Sequence, residues 1–484
     1  MKVSYHLPIH NESGINFHDG IVVSQSVHRF TYVELQLSKP GLINLFKPYF
    51  YWLCLCSFSL VIFASCSVSK QISKQANQIL LKDSVINTGH IGISIYEPAT
   101  NKYWYNYDAE KYFVPASNVK LFTLYAGLKY LGDSLIGLKY KLENKELHIY
   151  PTGDPTFLHP DFKQQIVFDF LKNKSSIFYH SQNNIIALGK GWAWDDYMDY
   201  YMVQRSEMPI YGNLIQLNIE GNNISTIPKN LPVKIVDTLL NKDNIISRNW
   251  NSNELTVNKA VPLPELKNYQ IPLFVKSAEV VNFLADTLQQ KINLIKQNAA
   301  DPLKSNDNNL VKIFSQPVDS LFKPMLYNSD NFFAEQTLLM ASNAYLGNMN
   351  EAALIDTLLK KDFKEIPQKP RWVDGSGLSR YNLFSPQSVV YILNKLQKEY
   401  GIKRLKTILP TGGEGTLKNY YQKDSSYIFA KTGSMSNHTA ISGYVYSRKG
   451  KLLIFSIMVN QFQGSMAHVR HTVETFLEGI RAKY

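Results

Sequence analysis

Residues 115–123 read PASNVKLFT, which sets a serine, Ser117, three positions ahead of a lysine, Lys120, at the start of an apolar run. The plain reading is a helix N-cap followed one turn later by a solvated side chain. The same spacing recurs at Ser67 and Lys70 in SVSK. Two letters in four are therefore informative only in company with other signals.

Working outward, Val119, Leu121, Phe122, Leu124, Tyr125, Leu128 and Leu131 recur at roughly helical spacing, so a helix is expected after Ser117. Ahead of it, HIGISIYEPATNKYWYNYDAEKYF alternates apolar and polar residues across a turn signal, EPATNK, and predicts a β-hairpin. From about residue 141 to 275 the text becomes short strand-like runs broken by Asn, Pro and Gly, which reads as an inserted β-rich region. Helical patterns resume in AEVVNFLADTLQQKINLI and NFFAEQTLLMASNAYL; the chain closes with two strand-like runs, SGYVYS and KLLIFSIMVN, and a helix, HVRHTVETFLEGIRAKY. Strands at both ends with helices between them predict an α/β domain, residues 84–140 and 276–484, whose sheet is completed from both sides of the insertion.

Two further short patterns follow in chain order: Ser329-Asp330-Asn331, opening an amphipathic helical stretch, and Lys431-Thr432-Gly433, which occurs once. S-x-N also occurs at Ser181 and Ser247, without such a helix. S-x-x-K, S-D-N and K-T-G in this order form the set found in penicillin-recognising enzymes. The chemistry explains the residue types. A serine hydroxyl needs a base within hydrogen-bond reach, and one helical turn brings Lys120 to the same face as Ser117. A solvated lysine is protonated, so burial and a neighbouring cation, Lys431, are expected to lower its pKa; reaching ~7 takes roughly 4–5 kcal/mol. Ser329 is placed to relay the proton to a leaving amine, and Asn331 to hold a substrate amide or a lysine ammonium. Lys431 supplies positive field, Thr432 a hydroxyl for a carboxylate, and Gly433 room for close backbone approach. The backbone N–H groups of Ser117 and Ser434 are the expected oxyanion donors, typically worth about 10²- to 10³-fold.

The likeness extends beyond these motifs. GDPTF (153–157), GWAWDD (191–196), SDNFFAEQ (329–336), DGSGLSRYN (374–382) and LPTGGEGTL (409–417) together make residues 84–484 resemble the class C low-molecular-mass penicillin-binding proteins, D-alanyl-D-alanine carboxypeptidase/endopeptidases of the bacterial cell wall. The resemblance implies a transpeptidase-like serine hydrolase fold, an antiparallel sheet flanked by helices with a helical lobe, carrying the β-rich insertion between the first two motifs. It implies Ser117 as nucleophile, Lys120 as base, and Ser329, Asn331, Lys431 and Thr432 in support, with Arg380 and Ser436 lining a substrate side-chain pocket. Peptidoglycan peptides are then the substrates and β-lactams covalent inhibitors, with neither cofactor nor metal. One departure stands out: the family carries an acid and an aromatic residue shortly before the GW-W-DD stretch, whereas SQNNIIALGKGWAWDD has no acid there. A β-lactamase shares every motif, and an idle wall-binding scaffold would share the fold. Carboxypeptidase and endopeptidase are not distinguishable from these residues.

The 484-residue chain is 45% hydrophobic and 19% charged, an ordinary globular balance, with a net charge of +12. Its lysines are scattered rather than gathered, which speaks against nucleic acid and for an anionic surface or polymer. Cys54, Cys56 and Cys66 are the only cysteines, so a disulfide framework and a thiolate metal site are excluded from everything after residue 66. The apolar run 49–64 follows Lys47 and ends in FASC, resembling a signal peptide with a lipobox that would acylate Cys66. Residues 1–66 then form an N-terminal extension and signal segment, 67–83 a polar tether, and the product is an exported, periplasmic or cell-envelope lipoprotein held at the membrane. LPTGGEGTLK lacks the G-K-[ST] ending of a phosphate loop, DGSGLS is not a G-x-S-x-G elbow, and His468 and His471 in HVRH read as a solvated helix face.

Overall fold

A computed structural model describes residues 68–182, 185–221, 223–238, 245–260, 262–296 and 309–484. The signal and lipobox segment, with Cys54, Cys56 and Cys66, lies outside the described residues.

The main sheet has five antiparallel strands in the order Ile428–Met435, His438–Tyr446, Leu452–Asn460, His90–Glu97, Lys102–Tyr107. The early hairpin thus pairs with the last strand of the chain, Ile93 opposite Ile457, and both sides of the insertion complete one sheet as expected. Alternation sorts the side chains between two cores. Leu453, Phe455, Ile457 and Val459 pack with the C-terminal helix Met466–Lys483, whereas Ile454 and Met458 face the helices Lys120–Tyr130, Val318–Tyr327, Asn331–Leu346 and Pro386–Tyr400. Both faces are covered, so the central strands are apolar on each side.

The expected tether is instead part of the fold. Residues 68–76 are helical and continue into a π-helical turn, Asn77–Leu81. Ile72, Ala76 and Leu80 are wholly buried in the core beneath the C-terminal helix. Polar composition hid an apolar stripe recurring every fourth residue, which is enough to seat a helix.

The insertion is also longer than its strand-like text. Ser134–Glu143 pairs antiparallel with Val311–Pro317, closing it at both ends, in a five-stranded sheet ordered Ile292–Lys296, Ile177–Ser181, Glu146–Tyr150, Ser134–Glu143, Val311–Pro317. The helix Ser277–Leu288, expected to belong to the main domain, buries Val280, Val281 and Leu284 in the insertion's own core. Two three-stranded sheets complete it. The boundaries at 141 and 275 therefore move outward to about 134 and 317, because strand pairing rather than local composition closes the unit.

Candidate active site

Ser117 sits in a 3₁₀ turn, Ala116–Val119, directly ahead of the helix Lys120–Tyr130, and caps nothing. Asn460, at the end of its sheet strand, pins the approach to this turn by accepting from Val114 N at 2.7 Å and donating to Val114 O at 3.1 Å. Ala116 is held at φ +46° and Ser329 at φ +60°. Left-handed conformations in such residues cost about 1–3 kcal/mol each and persist where surrounding structure dictates them.

Lys120 is fully buried. Its Nζ lies 2.8 Å from Ser117 Oγ, 2.7 Å from Asn331 Oδ1 and 2.7 Å from the Ser376 carbonyl oxygen. Burial lowers its pKa to about 8, against the upward pull of Asp330, Asp374 and Glu335. Two of the three neighbours are obligate acceptors, so a neutral amine spends both its hydrogens on them and turns its lone pair to the third, the Ser117 hydroxyl. Asn331 is oriented for this by donating Nδ2 to Tyr201 O at 3.0 Å, a contact supplied by the insertion.

The second lysine, Lys431, is equally buried in the edge strand and donates to Ser329 Oγ at 2.9 Å and to Thr432 O at 2.6 Å. Burial, with Lys120 and Arg470 nearby, pushes its pKa well down. Burial lowers both amines, and the positive charge of Lys120 acts on Lys431 in the same direction.

Gly433 also lies close against the nucleophile turn. A Cβ there would stand 2.6 Å from Pro115 O and 3.1 Å from Ser117 N, so its bare backbone lets the strand close on the nucleophile turn. Likewise Gly377, at φ +87°, leaves room for Ala116 O, which a Cβ would meet at 2.0 Å.

Several supporting groups were not foreseen. Glu335 accepts from Ser376 N at 2.7 Å and pairs with Arg205 at 3.3 Å, both side chains almost completely buried. Burial and Asp374 push the Glu335 carboxyl up, while Arg205 pulls it down. Asp374 accepts from Gly377 N at 2.9 Å, Ser379 N at 2.6 Å, Asn382 Nδ2 at 2.7 Å and Trp192 Nε1 at 2.9 Å, tying the DGSGLSRYN loop to the insertion's GWAWDD stretch. Glu335 stands one turn after Asn331 on the same helix, a spacing that could have flagged it. Arg470, from the last helix, reaches the Ser434 hydroxyl, and nothing in HVRH announces that. Its neighbours His468 and His471 are exposed, as the solvated-face reading expects, and their ring nitrogens lie 2.7 Å from Asp83 and 2.8 Å from Glu474.

A cavity of about 660 Å³ joins these parts, lined by Ser117, Ser329, Asn331, Thr432, Ser434 and Ser436, with Arg380 and Arg470 on its walls. The insertion contributes Asp161, Asp196, Tyr200 and Tyr201 to the same cavity. Acidic residues thus line it although none stands in SQNNIIALGK, directly before the GWAWDD stretch. Every site residue expected from the three motifs, with Arg380 and Ser436, borders this cavity or contacts a residue that does.

The chain is 23% identical over 457 residues to the D-alanyl-D-alanine carboxypeptidase DacB of Haemophilus influenzae, covering 84% of this chain and 90% of that one. It is 23% identical over 436 residues to the D-alanyl-D-alanine carboxypeptidase of Actinomadura sp. (strain R39), covering 80% of each. The crystal structure of penicillin binding protein 4 from Haemophilus influenzae shares the fold, with a TM-score of 0.65 at 18% identity over 85% of this chain and 99% of that one. A family model matches residues 72–480, and the chain belongs to the D-Ala-D-Ala carboxypeptidase 3 (S13) family, serine peptidases.

Proposed function

We propose that Ser117 is the nucleophile of this serine D,D-peptidase and that Lys120 is its general base. Ser117 Oγ attacks the carbonyl carbon of the penultimate D-alanine while its proton passes to Lys120 Nζ. The backbone N–H groups of Ser117 and Ser434 receive the oxyanion. Collapse expels the leaving amine, which takes its proton through Ser329, held by Lys431. Water then releases the acyl group from Ser117. The observation that carries this reading is the buried Lys120 amine, 2.8 Å from Ser117 Oγ with two fixed acceptors on its other sides.

The substrates in this reading are peptidoglycan stem peptides, with Arg380 and Ser436 beside their side chains, and β-lactams acylate Ser117. The setting is the cell envelope, with Cys66 as the lipidated residue. No helix among the described residues is long and apolar enough to cross a membrane. The complete set of buried donors and acceptors around Lys120 favours an enzyme over an idle scaffold, which needs none of them. Incubation with purified muropeptides and weighing of the products tests the reading. Loss of one alanine supports a carboxypeptidase, and cleavage of cross-linked dimers an endopeptidase. Unchanged masses alongside rapid penicillin hydrolysis would make it a β-lactamase; unchanged masses without it would make it a scaffold.

A further inference from the structure

Part of the active-site cavity is walled by the insertion's three-stranded sheet, Leu266–Pro272, Leu214–Glu220 and Asn223–Ile227, none of whose side chains the reaction above uses. Alternation puts Ile215, Leu217 and Ile219 into the insertion's core, so Leu214, Gln216, Asn218 and Glu220 share the opposite face. Leu214 and Gln216 border the active-site cavity, as does Gln270, opposite Gln216 on the neighbouring strand. Further along the same face, Asn218 and Glu220 stand opposite Ser225 and Asn223. With Lys267 and Asn268, these four line a second cavity of about 370 Å³. Gln216 thus borders one cavity, and Asn218, its next neighbour on that face, borders the other.

A β-bulge shapes the second cavity. Pairing slips between Leu266 and Tyr269, Asn268 takes φ +54°, and its N–H donates to Asn218 Oδ1 at 2.8 Å. Bulges re-aim side chains and are over-represented beside active sites.

The lining defines what fits. It consists of three primary amides, a hydroxyl, one carboxylate and one ammonium, without a large apolar side chain. Such groups both donate and accept, which suits an uncharged ligand rich in hydroxyls and amides. A nucleic acid calls for several cations, and a protein interface for an apolar core. A stem peptide of about four residues reaches at most ~14 Å, and the strand from Gln216 to Glu220 spans about the same. The carrier of a stem held in the catalytic cavity therefore emerges within reach of the second cavity.

Resting on the peptidase reading above, we infer that this face is a subsite for the glycan strand that carries the stem peptide, an uncharged N-acetylated saccharide held by Asn218, Glu220, Asn223 and Ser225. The enzyme then selects stems still attached to glycan over free peptides.

The test compares two substrates with the same stem peptide, one carrying its disaccharide and one freed of it by an amidase. The full-length protein and a triple variant, Glu220→Ala with Asn223→Ala and Ser225→Ala, all at exposed positions, are ranked by the ratio of kcat/KM for the two. Each neutral hydrogen bond is worth a few-fold, so three together are worth about tenfold or more. The parent should prefer the glycan-bearing stem by at least that factor. In the triple variant the preference should fall about tenfold, with the rate on the free peptide unchanged. A parental ratio within threefold of unity, or a variant ratio within threefold of the parent's, overturns the inference while leaving the peptidase reading intact. A protein docking on this face would leave the ratio unaltered and so counts against it. If the parent cleaves neither substrate, both fall together. Should the triple variant fail to fold, Asn223→Ala decides: a ratio below the parent's supports the subsite, and one equal to it overturns it.

Discussion

The Ser376 carbonyl oxygen lies 2.7 Å from Lys120 Nζ, and Glu335 holds that carbonyl's residue by accepting from Ser376 N at 2.7 Å. The carbonyl accepts and cannot donate, so it always claims a hydrogen of the lysine. With Asn331 Oδ1 doing the same, the only direction left for a lone pair is toward Ser117.

Acylation should therefore follow the neutral fraction of Lys120. Burial brings its pKa to about 8, so the ammonium dominates below that pH and the base is lost as pH falls. The acylation rate constant for a penicillin should drop about tenfold per pH unit below 8 and level off above it, by the titration of a single group. A stopped-flow pH series checks this. A rate flat between pH 6 and 8 would show that Lys120 does not accept the proton.

Lys120→Arg keeps the cation but installs a group that does not deprotonate in this range. Acylation should fall by roughly 10² to 10⁴, the usual contribution of a general base. The measurement is the acylation rate of the variant, with circular dichroism to establish that it folds. A rate within about threefold of the parent would return Lys120 to the status of a mere positive charge.

Glu335→Ala removes one of two carboxylates from Arg205, whose side chain is only 2% exposed. Breaking a buried pair costs about 3–5 kcal/mol. The low end is expected, because Glu351 still pairs with Arg205 at 2.8 Å. Urea unfolding measures it, and a loss under about 1 kcal/mol would contradict the ion pair's structural role.

Leu80→Ala distinguishes a docked helix from a tether. Leu80 is fully buried under the C-terminal helix, so truncation should cost about 2–5 kcal/mol. A change within about 0.5 kcal/mol, the usual range for surface positions, would mean that residues 68–81 are not part of the folded unit.

What could be read in advance follows from how local each signal is. Ser117 and Lys120 share a helical turn, so their meeting is written in spacing alone, and the motif strand Lys431–Gly433 supplied its own chemistry. The pairing of His90–Glu97 with Leu452–Asn460 was legible because both runs alternate. Contacts across the chain were not. Tyr201 O reaches Asn331 over 130 residues, and Ser376 O reaches Lys120 over 256. A backbone carbonyl has no letter to betray it. Arg470 remained hidden because a helix face gives no sign of what stands opposite it. Gly433 was read as a point of close approach for substrate, and the structure also brings the turn bearing Ser117 against it.

The central claim is that Ser117 is the nucleophile, and the most direct measurement is peptide mapping by mass spectrometry after reaction with a labelled penicillin. The label should sit on the peptide containing Ser117, in one-to-one stoichiometry, and should be absent from a folded Ser117→Ala variant. Label on Ser329, on any other serine, or on none would contradict the account.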